Sequence, residues 1–319
     1  MQITSVTELL EQYFLRRMLA DKSRQNYEMV VRVFTRDVAD NIDELDEETL
    51  LAWRDSVLKR ATGITFNNYL RHLRAIFNYG LKRQWVDSNP FSIIEPAPRQ
   101  SRKPKTLTSS QYNKAIAFVE KSGTSHPSWF WVAVIEFIAT TGARGRQVVE
   151  LQWRDIDFDR ATIRFRTEGS KTQREWFIPL PDSIGETLYQ WYFSMGVYKN
   201  PALLRTQVFN VTLHSKRFFG REMTINQLND FFSRLSRNIG FSIGCRRLRH
   251  TLATRLANST SNSEGYLFAL RDLLGHTDIR TTQIYVGGNV ERIRKMMNDS
   301  GICSSYSKRV KFYGVDMRQ

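Results

Sequence analysis

One stretch limits the possible folds of this chain more than any other. SWFWVAVIEFIATTG, residues 128–142, carries a single charged residue, Glu136. A helix that is apolar around its whole circumference must be surrounded by other elements. It is also too short to cross a bilayer, which takes roughly 20 apolar residues. The segment is therefore expected at the centre of a packed core, and 319 residues leave room for that core and a second one.

The break between the two cores is visible in composition. The run PAPRQSRKPKTLT, Pro96 to Thr108, holds three prolines and four basic residues with almost nothing apolar. It reads as a charged linker and not as core. We expect a helical domain over 1–97, a basic linker over 98–107, and a second domain over 108–319. Residues 5–20, 23–40, 46–60 and 64–85 read as helices, the third begun by Asp46 ahead of Glu47 and Glu48. Beyond the linker, helices are expected over 109–121, 128–142, 148–152, 224–240 (ended by Gly240), 246–258 and 267–276. ATIRFRT and EWFIPL flank EGSKTQR and read as a hairpin with a basic tip. The expected fold class is mainly α: a helical N-terminal domain, then a mostly helical domain with a small antiparallel β-sheet.

Forty-seven Lys and Arg against 32 Asp and Glu give a formal charge of +15, which points to a polyanionic partner. The basic residues are spread along the chain and not gathered on one amphipathic helix, which argues against a membrane-surface role. The start, MQITSVTELLEQYF, lacks the basic region and apolar core of a signal peptide. Cys245 and Cys303 make neither a disulfide framework nor a zinc site, so no metal or cofactor is expected. The expected setting is cytoplasmic and rich in nucleic acid.

Three segments carry residues suited to phosphate chemistry. Thr141-Gly142-Ala143-Arg144 ends the apolar helix. RRLRHTLATRL holds Arg246, Arg249 and His250. LLGHTDIRTTQIYV places Tyr285 nine residues after His276. Singly, each has a bland reading: Arg144 as a helix-end charge, Arg249 on a solvated face, His276 as a cap, Tyr285 as an ordinary aromatic. Arginine nevertheless suits phosphate, because its planar fork grips two oxygens and keeps its charge.

In this order and spacing the segments resemble the tyrosine recombinase (phage integrase) family. Its motifs are an arginine after T-G-x, an H-x-L-R-H box, an L-G-H box, and a tyrosine nine residues after that last histidine. TFNNYLRHLRAIFNYGLKRQWVDSNPF also looks like the family's core-binding domain, so the resemblance covers roughly residues 5–290. It implies a C-shaped clamp on duplex DNA, with Tyr285 as nucleophile in a 3′-phosphotyrosyl link. Arg144, Arg249 and His276 would hold the phosphate. Lys171, at the hairpin tip, would be general acid to the leaving 5′-oxygen. Arg71 and Arg74 on one helix, Lys22 and Arg24 opening another, and Arg102, Lys103 and Lys105 in the linker are candidate phosphate contacts.

Two departures from the family pattern bear on mechanism. Arg246 stands where the family has the histidine credited with taking the nucleophile's proton, and an arginine with pKa above ~12 cannot act as a base at neutral pH. Arg246 is expected to serve electrostatically, and His250 to brace the site from behind. Gln147 replaces the acidic residue three positions after the first arginine, a modest change. The segment NSTSNSEGYLF looks like an enlarged loop.

The resemblance implies a site-specific recombinase acting on double-stranded DNA as a tetramer, and free as a monomer or weak oligomer. The first helix begins almost at once, which favours short inverted sites over distant arm sites. The alternatives are type IB topoisomerase-like relaxation and a recombinase-derived protein that binds DNA without cutting it.

Overall fold

The computed structural model describes residues 2–98, 104–121, 127–166, 175–215, 222–258 and 265–285. The chain divides into two compact units, Met1–Arg102 and Lys103–Gln319.

In the first unit α1 (Val6–Arg16), α2 (Asp21–Asp37), α3 (Glu47–Arg60) and α4 (Gly63–Lys82) enclose one core. Their starts follow from capping chemistry. Ser5, Asp46 and Thr62 accept backbone N–H groups from Glu8, Thr49 and Thr65, which satisfies donors that have no partner inside the helix. Helix α4 buries Phe66, Leu70, Leu73, Ile76 and Phe77 on one face. The chain that follows α4 is strapped back onto it. Arg74 donates Nε to the Phe91 carbonyl at 2.9 Å, and Nη2 to the carbonyls of Ser92 and Ile94. Asn67 exchanges two hydrogen bonds of 2.8 Å with the backbone of Ala97. Three of the guanidinium's contacts are thus made within its own unit, which sets Arg74 apart from Arg71 on the same helix.

The second unit is built around α6 (Ser128–Thr141), the apolar helix, flanked by α5 (Ser109–Lys121), α8 (Asp182–Ser194) and α10 (Cys245–Asn258). Phe130, Val134, Ile135, Phe137 and Ile138 are fully buried, and Trp131 stacks on Phe231 of α9 (Ile225–Ile239) at 3.9 Å between ring centres. Helix α7 (Gly145–Glu150) begins three residues before the sequence suggested, because the Gln147 side chain caps its first turn. The last helices among the described residues are α11 (Gly265–Leu274) and α12 (Arg280–Gln283). Thr106 and Leu107 do not behave as linker: Leu107 is buried in this core, and its N–H is taken by Thr251 of α10 at 2.8 Å. No helix among the described residues is long and apolar enough to cross a membrane.

The expected hairpin forms, joined by a third strand: β1 (Ile156–Asp157), β2 (Thr162–Phe165) and β3 (Trp176–Pro179) run antiparallel in the order β1-β2-β3. Asp155, nearly excluded from solvent, ties this sheet to α7. Arg164 reaches it at 3.0 Å and Arg166 at 2.9 Å, and Arg166 also donates to the Glu150 carbonyl. Removing one partner of a buried pair strands the others. Asp155→Ala is therefore expected to cost about 3 kcal/mol, read as a lower denaturant midpoint, with Arg164→Ala milder because that side chain is the more exposed.

Candidate active site

Four places in the second unit converge. Arg144 sits at the junction of α6 and α7. Arg246, Arg249 and His250 lie on one face of α10, since residues three and four apart in a helix are neighbours. His276 follows α11, and Tyr285 follows α12 by two residues.

Two left-handed glycines aim the first and third of these. Gly142 (φ +67) ends α6 and turns the chain toward Arg144; Gly275 (φ +58) ends α11 and turns it toward His276. That region suits glycine, because a Cβ there meets the following carbonyl. At Gly275 space is also lacking: a Cβ would lie 2.4 Å from the indole of Trp176 on β3.

Arg249 joins the two turns. Its Nη1 donates to the Gly142 carbonyl at 2.7 Å, and its Nη2 to the Leu274 carbonyl at 2.6 Å and to His276 Nε2 at 3.0 Å. The other ring nitrogen of His276 lies 2.9 Å from the Thr282 hydroxyl. Thr282, fully buried, was not singled out in the sequence, where it looks like one of a pair of loop threonines.

The nucleophile candidate is also held. Tyr285 packs with Ala253, Ala257, Leu270 and Leu274 and is 4% exposed. His250 Nδ1 lies 2.8 Å from its hydroxyl, and Arg246 Nε donates to His250 Nε2 at 3.1 Å. His250 therefore does not brace the site from behind. It touches the phenol oxygen, which overturns the expectation from its place in the box.

These groups line a cavity of about 980 Å³ that also receives Arg146 and Arg237. Among the described residues five arginines face it and no carboxylate lines it. Arg144 Nη1 is buried without a hydrogen-bond partner. Burial, with the neighbouring cations, shifts the groups nearest Tyr285. Burial, then Arg144, brings the Arg249 guanidinium down to about 9. Burial, then Arg249 and Arg144, brings the His276 imidazole down to about 4. His250 is lowered by burial, Arg246 and Arg249, and Arg144 by burial. Burial raises the Tyr285 phenol against the opposing pull of Arg249, Arg246 and Arg144. The site is a cationic hollow with neutral imidazoles, which an anion would complete.

The remaining candidates lie elsewhere. Arg71 is exposed, with Nη2 donating to Asn68. Arg24 lies over the Phe14 ring at 4.5 Å, and Lys22 donates to Gln25. Lys105 is exposed. Lys171, Arg102 and Lys103, and the chain after Tyr285, lie outside the described residues.

The profile of the phage integrase family matches residues 105–292, more than half of the chain. This chain belongs to the phage integrase family. It is 26% identical over 315 residues to a XerC-type tyrosine recombinase of Pseudomonas syringae, covering 94% of this chain and 65% of the relative. It therefore spans just under two thirds of that relative's length. The tyrosine recombinase XerD of Pasteurella multocida is 27% identical over 259 residues, 80% of this chain and 82% of XerD. The fold matches the Tn1549 transposon integrase, solved with a circular-intermediate DNA, at a TM-score of 0.73, 20% identity, and coverage of 93% of this recombinase and 100% of that chain. It also matches a lambda integrase tetramer bound to a Holliday junction at a TM-score of 0.66, 18% identity, and coverage of 86% and 78%.

Two outcomes follow for the recombinase. Gly275→Ala must find room against Trp176 and adopt an unfavourable φ, at a cost of about 2–4 kcal/mol in unfolding, visible as a changed tryptophan emission and a lower melting temperature. Because folding holds His276 near 4 against an ordinary 6.5, the unfolded chain binds a proton that the folded one refuses. Stability is highest above pH 6.5 and falls as pH drops toward 4. Urea midpoints measured across that window check the sign, and His276→Gln makes the slope shallower.

Proposed function

We propose that the recombinase cuts and rejoins duplex DNA at specific sites through a 3′-phosphotyrosyl link to Tyr285. The observation that carries this reading is the Tyr285 hydroxyl in a hollow of five arginines without a carboxylate, where Arg144 Nη1 has no partner. A phosphodiester supplies the missing anion. Arg144 and Arg249 hold its non-bridging oxygens, His276 joins them, and Lys171 donates the proton to the departing 5′-oxygen. The 5′-hydroxyl of a partner strand then displaces the tyrosine. One phosphodiester is exchanged for another, so the reaction needs no energy source beyond the link itself.

Both units contact the duplex, the first through Arg71, Lys22 and Arg24, the linker through Arg102, Lys103 and Lys105. The recombinase is monomeric or weakly associated when free and acts as four protomers on two sites, in the cytoplasm on the cell's own or an invading DNA. The tetramer on a junction is a property of the lambda relative and is extended here to this chain.

Nicked DNA carrying the native attachment region lets the 5′-hydroxyl fragment leave and so traps the covalent link. Wild type is expected to give a denaturant-resistant adduct and Tyr285→Phe none, while Arg144→Ala slows its formation by about 10²–10³-fold. Tight binding without an adduct in the wild type would leave a DNA-binding protein that does not cut. Affinity should also fall steeply between 50 and 200 mM salt, by roughly 10³-fold or more if six or more phosphates are neutralised.

A further inference from the structure

The family's usual base is absent at position 246, and the hydrogen bonds around Tyr285 say what takes its place. An arginine N–H can only donate. Arg246 Nε points at His250 Nε2 from 3.1 Å, so that nitrogen offers a lone pair and carries no proton. The neutral ring then has its proton on Nδ1, the atom 2.8 Å from Tyr285 Oη. His250 donates to the phenol and cannot accept from it. His276 is fixed in the same way: Arg249 Nη2 occupies its Nε2, leaving its proton on Nδ1 toward Thr282. Both imidazoles facing Tyr285 thus have their lone pairs occupied by arginine, and Arg144, Arg246 and Arg249 are cations. Among the described residues no carboxylate lines the cavity.

We propose that Arg246 is a positioning residue that locks His250 as a hydrogen-bond donor to Tyr285, and that the phenolic proton is taken by the scissile phosphate itself. The proposal rests on the recombinase reading above. As Oη bonds to phosphorus and the bond to the 5′-oxygen breaks, the proton passes from Oη to a non-bridging oxygen of the same phosphoryl group. The 5′-oxygen takes a proton from Lys171, and the phosphoryl proton then restores Lys171 through solvent. One proton leaves the nucleophile and one reaches the leaving group, so nothing else is consumed. His250 is catalytic here through its contact with the reacting oxygen: its Nδ1–H steadies the phenolate as it forms, and again as it departs in rejoining.

The test is adduct formation in a single turnover on the nicked attachment DNA, with His250→Asn and His250→Ala beside wild type. The asparagine amide nitrogen falls near Nδ1 and can donate, but asparagine cannot act as a base. The donor assignment predicts that His250→Asn stays within about tenfold of wild type, while His250→Ala loses about 10²-fold or more. Equal losses in the two variants, with adduct formation in wild type falling away on acidification through the imidazole range, would make His250 the base and overturn the proposal. In Arg246→Ala the ring nitrogen is freed, and that acid limb is expected to appear where wild type lacks it. Nitrogen-15 spectra of the folded, DNA-free protein give a readout independent of turnover: His250 should show a protonated Nδ1 and a bare Nε2, and the reverse pattern overturns the assignment. If wild type forms no adduct, the recombinase reading fails. If it does, the histidine variants decide this proposal alone.

Discussion

The buried guanidinium of Arg249 is the contact on which the site's geometry depends. Three elements distant in sequence meet at it: the turn that ends α6, helix α10, and the turn that ends α11. A planar fork of five N–H groups can hold two carbonyls and an imidazole at once, and a lysine ammonium in the same place would lack that fixed geometry. Burying this charge is costly, since burial alone drives its pKa down. Two carbonyl oxygens and a ring nitrogen repay part of the cost. The rest is tolerated because the same group is already placed where a phosphate oxygen arrives.

That arrangement makes the free protein electrostatically strained in a productive sense. Beyond burial, Arg144 and Arg246 lower Arg249, and Arg249 lowers both histidines, while among the described residues no carboxylate lines the cavity. Had acidic partners been present, the resting enzyme would be more stable and the substrate would have to displace them. Contrast this with Asp155, which satisfies Arg164 and Arg166 a short way off in the same unit. Asp155 neutralises the arginines of the sheet and Glu150 pairs with Arg146, whereas Arg144, Arg246 and Arg249 face the hollow with no ion pair among the described residues.

The main architecture was legible where patterns are long. The apolar run of α6, the alternation of β2 and β3, and the capping Asp46 before α3 all express themselves locally. Short or mixed elements were not legible: α8 follows two prolines and interleaves Gly185 with four aromatics, and the two-residue β1 has no periodicity to read. The site was legible as a set of residue types at fixed spacing, because helix geometry and glycine turns leave marks in sequence. What each side chain touches was not. Arg74 and Arg71 look alike on one helix, and only the path of residues 91–94 shows that Arg74 is committed to carbonyls. Leu107 hides within a run of charge and proline, yet enters the core because α10 offers Thr251 to its backbone.

His250 shows why hydrogen-bond direction escapes a motif. Positions 246, 249 and 250 are i, i+3 and i+4 on α10, so whatever stands at 246 lies against His250, and Arg249 lies beside both. A side chain at 246 that offers a lone pair would hold the proton on His250 Nε2 and leave Nδ1 bare toward Tyr285. Arginine offers only N–H, so its choice propagates through the His250 ring to Tyr285, which is 35 residues from His250 in sequence but 2.8 Å from it in space. The substitution that looks like loss of a base is therefore also a change in the sign of the next hydrogen bond, from one that can remove a proton to one that can only stabilise the charge left behind. A site assembled this way moves the burden of proton acceptance onto the most anionic group that enters it, and in a hollow lined by arginines that group is the phosphodiester.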